Sequence, residues 1–167
     1  MKYNLALFAS GSGSNVENIF NYYKGHKSIS VSSVLTNNKN AYVLKRAKKL
    51  NIESFTFDSN NDESQVLSFL VSNNITHIIL AGYLKLISPK LIEIYKDKIL
   101  NIHPSLLPKF GGKGYYGDYV HESVLNANEK YSGITIHLVN DQYDKGKILF
   151  QKRIRINNSD SVESLSN

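Results

Sequence analysis

The chain predicts an α/β fold: a mostly parallel sheet of about seven strands, helices on both faces, and an antiparallel pair at its C-terminal end. Three observations carry this expectation. Short β-rich apolar runs alternate with ten-residue stretches of helical spacing through the first hundred residues, the pattern of βαβ units. The run T-H-I-I-L-A at residues 76–81 is apolar without alternation, as a strand covered on both faces requires. The last two strand-like runs are joined only by N-D-Q-Y-D-K-G, too short for a crossover helix, so they pair antiparallel.

In order, residues 3–9 form the first strand and end in S-G-S-G-S-N, residues 10–15. Residues 15–24 have helical spacing, with Val16, Ile19, Phe20 and Tyr23 on one face, and Gly25 closes the helix. Residues 29–36 are the second strand. Residues 41–50 form a helix with Ala41, Leu44, Ala47 and Leu50 opposite a basic face, and residues 52–57 the third strand. After a polar loop, residues 64–73 carry Val66, Leu67, Leu70 and Val71 at helical spacing. Residues 76–81 are the fourth strand. Ser88 before Pro89 starts a helix that runs to about Tyr95. Residues 99–103 are the fifth strand, stopped by Pro104. A glycine-rich loop at 111–117, a helix at 118–126 and strands at 133–139 and 148–156 follow. S-D-S-V-E-S-L-S-N reads as the capped start of a last helix. Nothing repeats and no linker breaks the chain, so the expectation is a single domain over residues 1–167. Right-handed crossovers set the ligand crevice at the C-terminal strand ends, where Gly11, Gly82 and His103 fall.

At 167 residues the chain can bury a real core, and 41% hydrophobic with 20% charged residues is ordinary for a globular protein. The absence of cysteine excludes disulfides, thiolate metal sites and cysteine nucleophiles, and fits a cytoplasmic protein. No apolar run approaches the roughly 18 residues of a membrane span, and the N-terminal run ends in a Gly/Ser turn, unlike a signal peptide. The net charge of +6 reads as scattered surface lysine. No basic tract is interleaved with aromatics, so neither nucleic acid nor membrane is expected as a partner.

Three motifs can carry chemistry. In S-G-S-G-S-N, glycines let backbone N–H groups converge ahead of a helix N-terminus, which suits one phosphate. The same stretch also suits a plain tight turn with Ser14 or Asn15 capping the helix. Asn101 and His103 share one face of the fifth strand, while Ile102 points to the other. An amide donor beside a protonatable imidazole can stabilise charge developing on a carbonyl oxygen. The alternative is a pair of satisfied core polar groups. The loop acids Asp141 and Asp144 are the third motif: either could face His103, raise its pKa and fix its orientation. Thr135 and His137 share a strand face as supporting groups or core residues, and His121 suits the crevice mouth; His26 and His77 read as structural. With no H-x-H, H-E-x-x-H or G-x-S-x-G, no metal site and no serine hydrolase is expected.

Together these stretches resemble the folate-dependent formyltransferases, and among them the glycinamide ribonucleotide transformylases of purine synthesis. The resemblance is carried by S-G-S-G-S-N (10–15), L-A-G-Y-L-K-L-I-S-P (80–89), N-I-H-P-S-L-L-P-K-F (101–110) and S-G-I-T-I-H-L-V with D-K-G (132–146), in order over nearly the whole chain. It implies a Rossmann-like formyltransferase fold with a phosphate-binding half at about 1–100 and a folate and catalytic half at about 101–167. It implies transfer of the formyl group of 10-formyltetrahydrofolate, a co-substrate, to the amine of 5-phosphoribosylglycinamide, without metal. Gly11, Ser12, Gly13, Ser14, Asn15 and Gly82 would hold the ribonucleotide phosphate. Tyr83, Leu84, Lys85, Leu86, Ile87, Asn101, Asn140, Asp141, Gln142, Tyr143 and Asp144 would hold the folate. Asn101, His103 and Asp144 would be catalytic, Asp144 being selected over Asp141 by the D-x-G placement. Thr135, His137 and His121 would support them, in a monomer or homodimer acting on small molecules alone.

The chain departs from these relatives in places. The loop at 112–119 is longer, Lys85 replaces a usual Arg, Thr135 replaces a usual Ser, and residues 58–63 hold no base. Because the relatives continue past the counterpart of Asn167, the C-terminal helix is expected to be truncated. Formyltetrahydrofolate deformylases, tRNA formyltransferases and a non-catalytic nucleotide-binding module are the competing readings.

Overall fold

The computed structural model describes residues 2–166. The elements run β1 (Tyr3–Phe8), α1 (Ser14–Tyr23), β2 (Ile29–Thr36), α2 (Val43–Leu50), β3 (Glu53–Thr56), α3 (Glu63–Ser72), β4 (His77–Leu80), α4 (Pro89–Ile94), β5 (Ile99–His103), α5 (Asp118–Asn126), β6 (Tyr131–Leu138), β7 (Ile148–Arg155) and α6 (Val162–Ser166). The strands form a seven-stranded sheet in the order β3-β2-β1-β4-β5-β6-β7. β1 pairs in parallel with β2 and β4, β2 with β3, and β6 pairs antiparallel with β7. The α/β class expected from the pattern holds, and only element ends move. The second helix begins at Val43 instead of 41, because Ala41 N–H closes a turn on Asn38 O. β6 begins at Tyr131, which pairs with Arg155.

Two compact units divide the chain, Met1–Leu100 and Asn101–Asn167. In the first, alternation along β1 assigns its two faces. Leu5, Leu7 and Ala9 pack with Val16 of α1 and with Val43 and Ala47 of α2. Phe8 points the other way and meets Phe57 and Tyr83 at ring distances of 5.9 and 5.5 Å. The register Phe8↔Leu35↔Phe55 puts Phe55 on that second face, where it stacks on Phe69 of α3 at 4.7 Å. Helices therefore cover both faces here, each fully buried Leu or Phe contributing about 1.5–3 kcal/mol. Because Phe8 pairs with Leu80, the chain leaves the sheet at the same level after β1 and after β4. Residues 9–13 and 81–87 are thereby set side by side. Ser88 caps α4 as expected, accepting from Leu91 N–H at 3.2 Å.

In the second unit, β6 turns Ser132, Gly133, Thr135 and His137 inward, and α5 buries Val120, His121 and Val124. β7 is exposed along its whole length.

Candidate active site

The turn after β1 is built so that its carbonyls point away from its N–H groups. Ser10 O accepts from Asn38 Nδ2, Gly11 O from Val43 N–H, Ser12 O from Arg46 Nε, and Gly13 O from Glu17 N–H. Among the described residues nothing accepts from the N–H groups of Gly11, Ser12, Gly13, Ser14 or Asn15. A concave row of unpaired amides at the start of a ten-residue helix is an anion-binding arrangement. Gly13, and neither Ser14 nor Asn15, is the N-cap, and no side chain caps the helix. Its left-handed φ of 75° and the nearness of Val43 explain this, since a Cβ at Gly13 would run into the Val43 side chain. Arg46 supports the turn from behind, pairs with Glu17 and lies over the Tyr42 ring at 5.2 Å.

The second predicted stretch, Gly82 to Ile87, follows β4. Gly82 has φ 88°, and its carbonyl accepts from Ser10 N–H at 2.9 Å. Tyr83, Leu86 and Ile87 line a shallow open cleft together with Phe8, Phe57 and Val66. Leu84 and Lys85 are exposed and do not line it. Asp58 and Glu63 stand at this cleft, so the segment without a base also places acids there.

The second unit gathers the titratable groups. His103 ends β5 with 3% exposure, and Asp144 faces it: Oδ2 lies 3.5 Å from His103 Nδ1. The other carboxylate oxygen, Oδ1, accepts from Asn101 Nδ2 at 3.1 Å and stands 3.4 Å from His137 Nε2. Gly112 N–H donates to Asp144 Oδ2 at 2.8 Å. Gly111 passes close to Leu107 and Asp144, so a Cβ there would make the Leu107 methyl shift and press on Asp144 Cβ. His103 Nε2 lies 2.7 Å from Phe110 O, and a carbonyl can only accept, so the neutral ring carries its proton on Nε2 and turns the Nδ1 lone pair toward Asp144. By the same reasoning His137 Nδ1–H donates to Leu138 O at 2.7 Å, which leaves Nε2 to accept from Asn101 Nδ2 at 3.0 Å.

Asp144 does push the His103 pKa up, as does the Phe110 carbonyl, but burial is the larger effect and His137 adds to it, so the imidazole lies below its ordinary 6.5. Burial therefore favours the neutral form of the ring. Burial pushes the Asp144 carboxyl up, yet hydrogen bonding, that from the Gly112 N–H included, outweighs it and holds the group below 3.8, so it stays ionised.

Of the remaining predicted residues, Thr135 is fully buried. Its Oγ1 donates to Ser105 O at 2.6 Å and accepts from Leu107 N–H at 3.1 Å and Gln151 Nε2 at 2.9 Å. His121 is buried near His103, and its Nδ1 has no partner among the described residues. Burial lowers its pKa, His103 lowers it further, and Asp118 opposes both. Asn140 Oδ1 closes a turn on Gln142 N–H at 3.1 Å, while Asp141 and Gln142 are exposed and Tyr143 is half-buried. Asp144, with φ 55°, is the loop acid that reaches the histidine. Sequence reasoning missed Ser105, Gln151 and the backbone groups of Phe110 and Gly112, and it placed Ser10 in the anion loop without its bonds to Gly82 and Leu84. Among the described residues no set of three His, Asp or Glu side chains is arranged for a metal, and no helix is long and apolar enough to cross a membrane.

A chloroplastic phosphoribosylglycinamide formyltransferase of Arabidopsis thaliana is 39% identical over 173 residues, covering 97% of this chain and 58% of the plant protein. The chain thus spans little more than half the length of that relative. The phosphoribosylglycinamide formyltransferase of Bacillus subtilis is 36% identical, covering 96% of this chain and 83% of its own. The crystal structure of the Bacillus halodurans enzyme of that name superposes with a TM-score of 0.86 at 36% identity, over 97% of this chain and 84% of the other. Residues 3–167 match the formyl transferase family, to which this chain belongs.

Proposed function

We propose that the protein transfers the formyl group of 10-formyltetrahydrofolate to the amine of 5-phosphoribosylglycinamide. The observation that carries this is the Asp144 carboxylate, which touches both Asn101 and His103 in a buried site. The amide row at residues 11–15 supports a phosphorylated acceptor. The apolar lining given by Tyr83, Leu86 and Ile87 supports a flat heteroaromatic donor, with the loop of Asn140 to Asp144 holding its reactive end.

Attack of the amine on the formyl carbon builds negative charge on the formyl oxygen and positive charge on the attacking nitrogen. Asn101 gives up one of its two N–H bonds and donates to that oxygen, a contribution worth about 10²–10³ in turnover. His103 Nδ1, neutral at the outset, takes a proton from the attacking nitrogen. Asp144, 3.5 Å away, stabilises the imidazolium, which returns the proton to the folate nitrogen as its bond to carbon breaks. One proton moves from acceptor to donor nitrogen, and no covalent enzyme intermediate forms. Alignment of two substrates supplies much of the remaining acceleration. We infer a cytoplasmic reaction between small molecules, with neither nucleic acid nor membrane involved.

The test offers 10-formyl-folate with phosphoribosylglycinamide, charged initiator tRNA or water alone, and follows loss of the formyl group by absorbance. Turnover is expected with phosphoribosylglycinamide only. Equal turnover in water would make the protein a deformylase and overturn the proposal.

A further inference from the structure

We propose that Ser10 is a positioning residue that couples the anion loop to the turn after β4, so that an anion held at residues 11–15 is sensed at Leu84. Every polar atom of Ser10 is committed, and its side chain is nine-tenths buried, at 9% exposure. Its N–H donates to Gly82 O at 2.9 Å. Its Oγ accepts from Leu84 N–H at 3.0 Å. The hydroxyl proton goes to Asn37 Oδ1 at 2.7 Å, which fixes the rotor and aims a lone pair at Leu84. The Ser10 carbonyl is held only by the long bond from exposed Asn38, at 3.3 Å.

This division of contacts has a direction. The peptide unit between Ser10 and Gly11 carries the first free N–H of the amide row. When an anion draws that N–H toward itself, the weak Asn38 bond yields first, while the N–H and Oγ of Ser10 stay clamped to Gly82 and Leu84. Movement is passed to residues 82–84, where Gly82 and Leu84 are exposed and the chain pivots on Gly82 at φ 88°. If the roles proposed above hold, on which this part rests, the phosphorylated acceptor bound at one loop presets the folate-binding turn. Ala at this position would leave Leu84 N–H and Asn37 Oδ1 without their partner, whereas Thr keeps the hydroxyl.

The test titrates inorganic phosphate into the ¹⁵N-labelled chain. In the wild type the amide resonances of residues 11–15 and of Leu84 are expected to move along one binding curve. In Ser10→Ala, residues 11–15 still move and Leu84 does not; Ser10→Thr restores the Leu84 shift, and Asn37→Ala, which frees the rotor, reduces it. In turnover assays Ser10→Ala raises the KM of both substrates about five- to tenfold, the scale of one lost hydrogen bond, with a smaller fall in kcat. A stationary Leu84 in the wild type while residues 11–15 shift, or an undiminished Leu84 shift in Ser10→Ala, would overturn the coupling alone. No shift at residues 11–15 would overturn the anion loop itself, and the coupling with it.

Discussion

The amide nitrogen of Asn101 lies 3.0 Å from Nε2 of His137, and this bond together with that to Asp144 occupies both Asn101 N–H groups. If Asn101 is the donor proposed above, His137 holds it in place without itself needing to touch substrate. Flipping the amide would set its oxygen against the Asp144 carboxylate, so the observed orientation is the one charge permits. In the proposed reaction, one of these bonds is exchanged for one to the formyl oxygen, at little net cost in hydrogen bonds.

His137→Ala should therefore lower kcat about tenfold with both KM values nearly unchanged, because Asn101 loses the contact that holds its rotamer. Steady-state kinetics with each substrate varied separately reads the split. A rise in KM with kcat intact would place His137 in binding instead.

Asp144→Asn keeps the shape and removes the charge. Turnover should fall by about 10²–10⁴, the usual contribution of a positioned acid–base partner. The His103 pKa should fall further, because the Asp144 charge is the largest influence now opposing burial. Single-turnover rates and ring-proton NMR titration of His103 check the two effects independently.

The legible part of this molecule was what sits close together in the chain. Asn101 and His103 are two residues apart on one strand, and the glycine-serine turn is contiguous, so alternation and turn chemistry exposed both. The illegible part depends on pairing. Phe110 O and Gly112 N–H, which orient His103 and Asp144, are backbone groups that any residue would offer. Ser10 gains its role only because β1 and β4 end level, and Gln151 because β7 pairs with β6 opposite Thr135. The direction of the His103 shift was illegible for a related reason. A neighbouring acid can be guessed from a motif, but the desolvation that outweighs it is a property of the packed core.

Gly13→Ala should destabilise the protein by about 1–3 kcal/mol, since the new methyl meets Val43 and the backbone is left-handed. Asn15→Ala, in the first turn of α1, should leave stability nearly unchanged and raise the KM for the phosphorylated substrate. Urea unfolding and kinetics separate them; an unchanged KM in Asn15→Ala would remove the phosphate from this loop.

Stability should fall on mild acidification. His77, His103 and His121 all lie below 6.5 because burial disfavours their charged forms. The unfolded chain then binds protons at a higher pH than the folded one, so this stability is whole above pH 6.5 and lost as pH falls toward the folded values. Asp144, held below 3.8, adds a second loss only at lower pH. The melting temperature should drop between pH 7.5 and 5.5, and His121→Leu should flatten that slope. A melting temperature that rises over this range would contradict the burial argument.

Thr135→Val removes one hydroxyl and strands three partners at a fully buried position. Ser105 O loses a donor, and Leu107 N–H and Gln151 Nε2 lose an acceptor, at a cost of about 1–3 kcal/mol. The consequence should reach the chemistry. Ser105 Oγ donates to Lys109 O at 2.9 Å, next to Phe110, whose carbonyl holds His103 Nε2. Loosening residues 105–110 frees the His103 imidazole, which in the proposed reaction meets the attacking amine. Urea unfolding should therefore show lower stability, and kcat should fall several-fold below what the folded fraction explains. Thr135→Ser, which keeps the hydroxyl and loses only a methyl, should recover most of both; equal damage from Val and Ser would assign the position to packing alone.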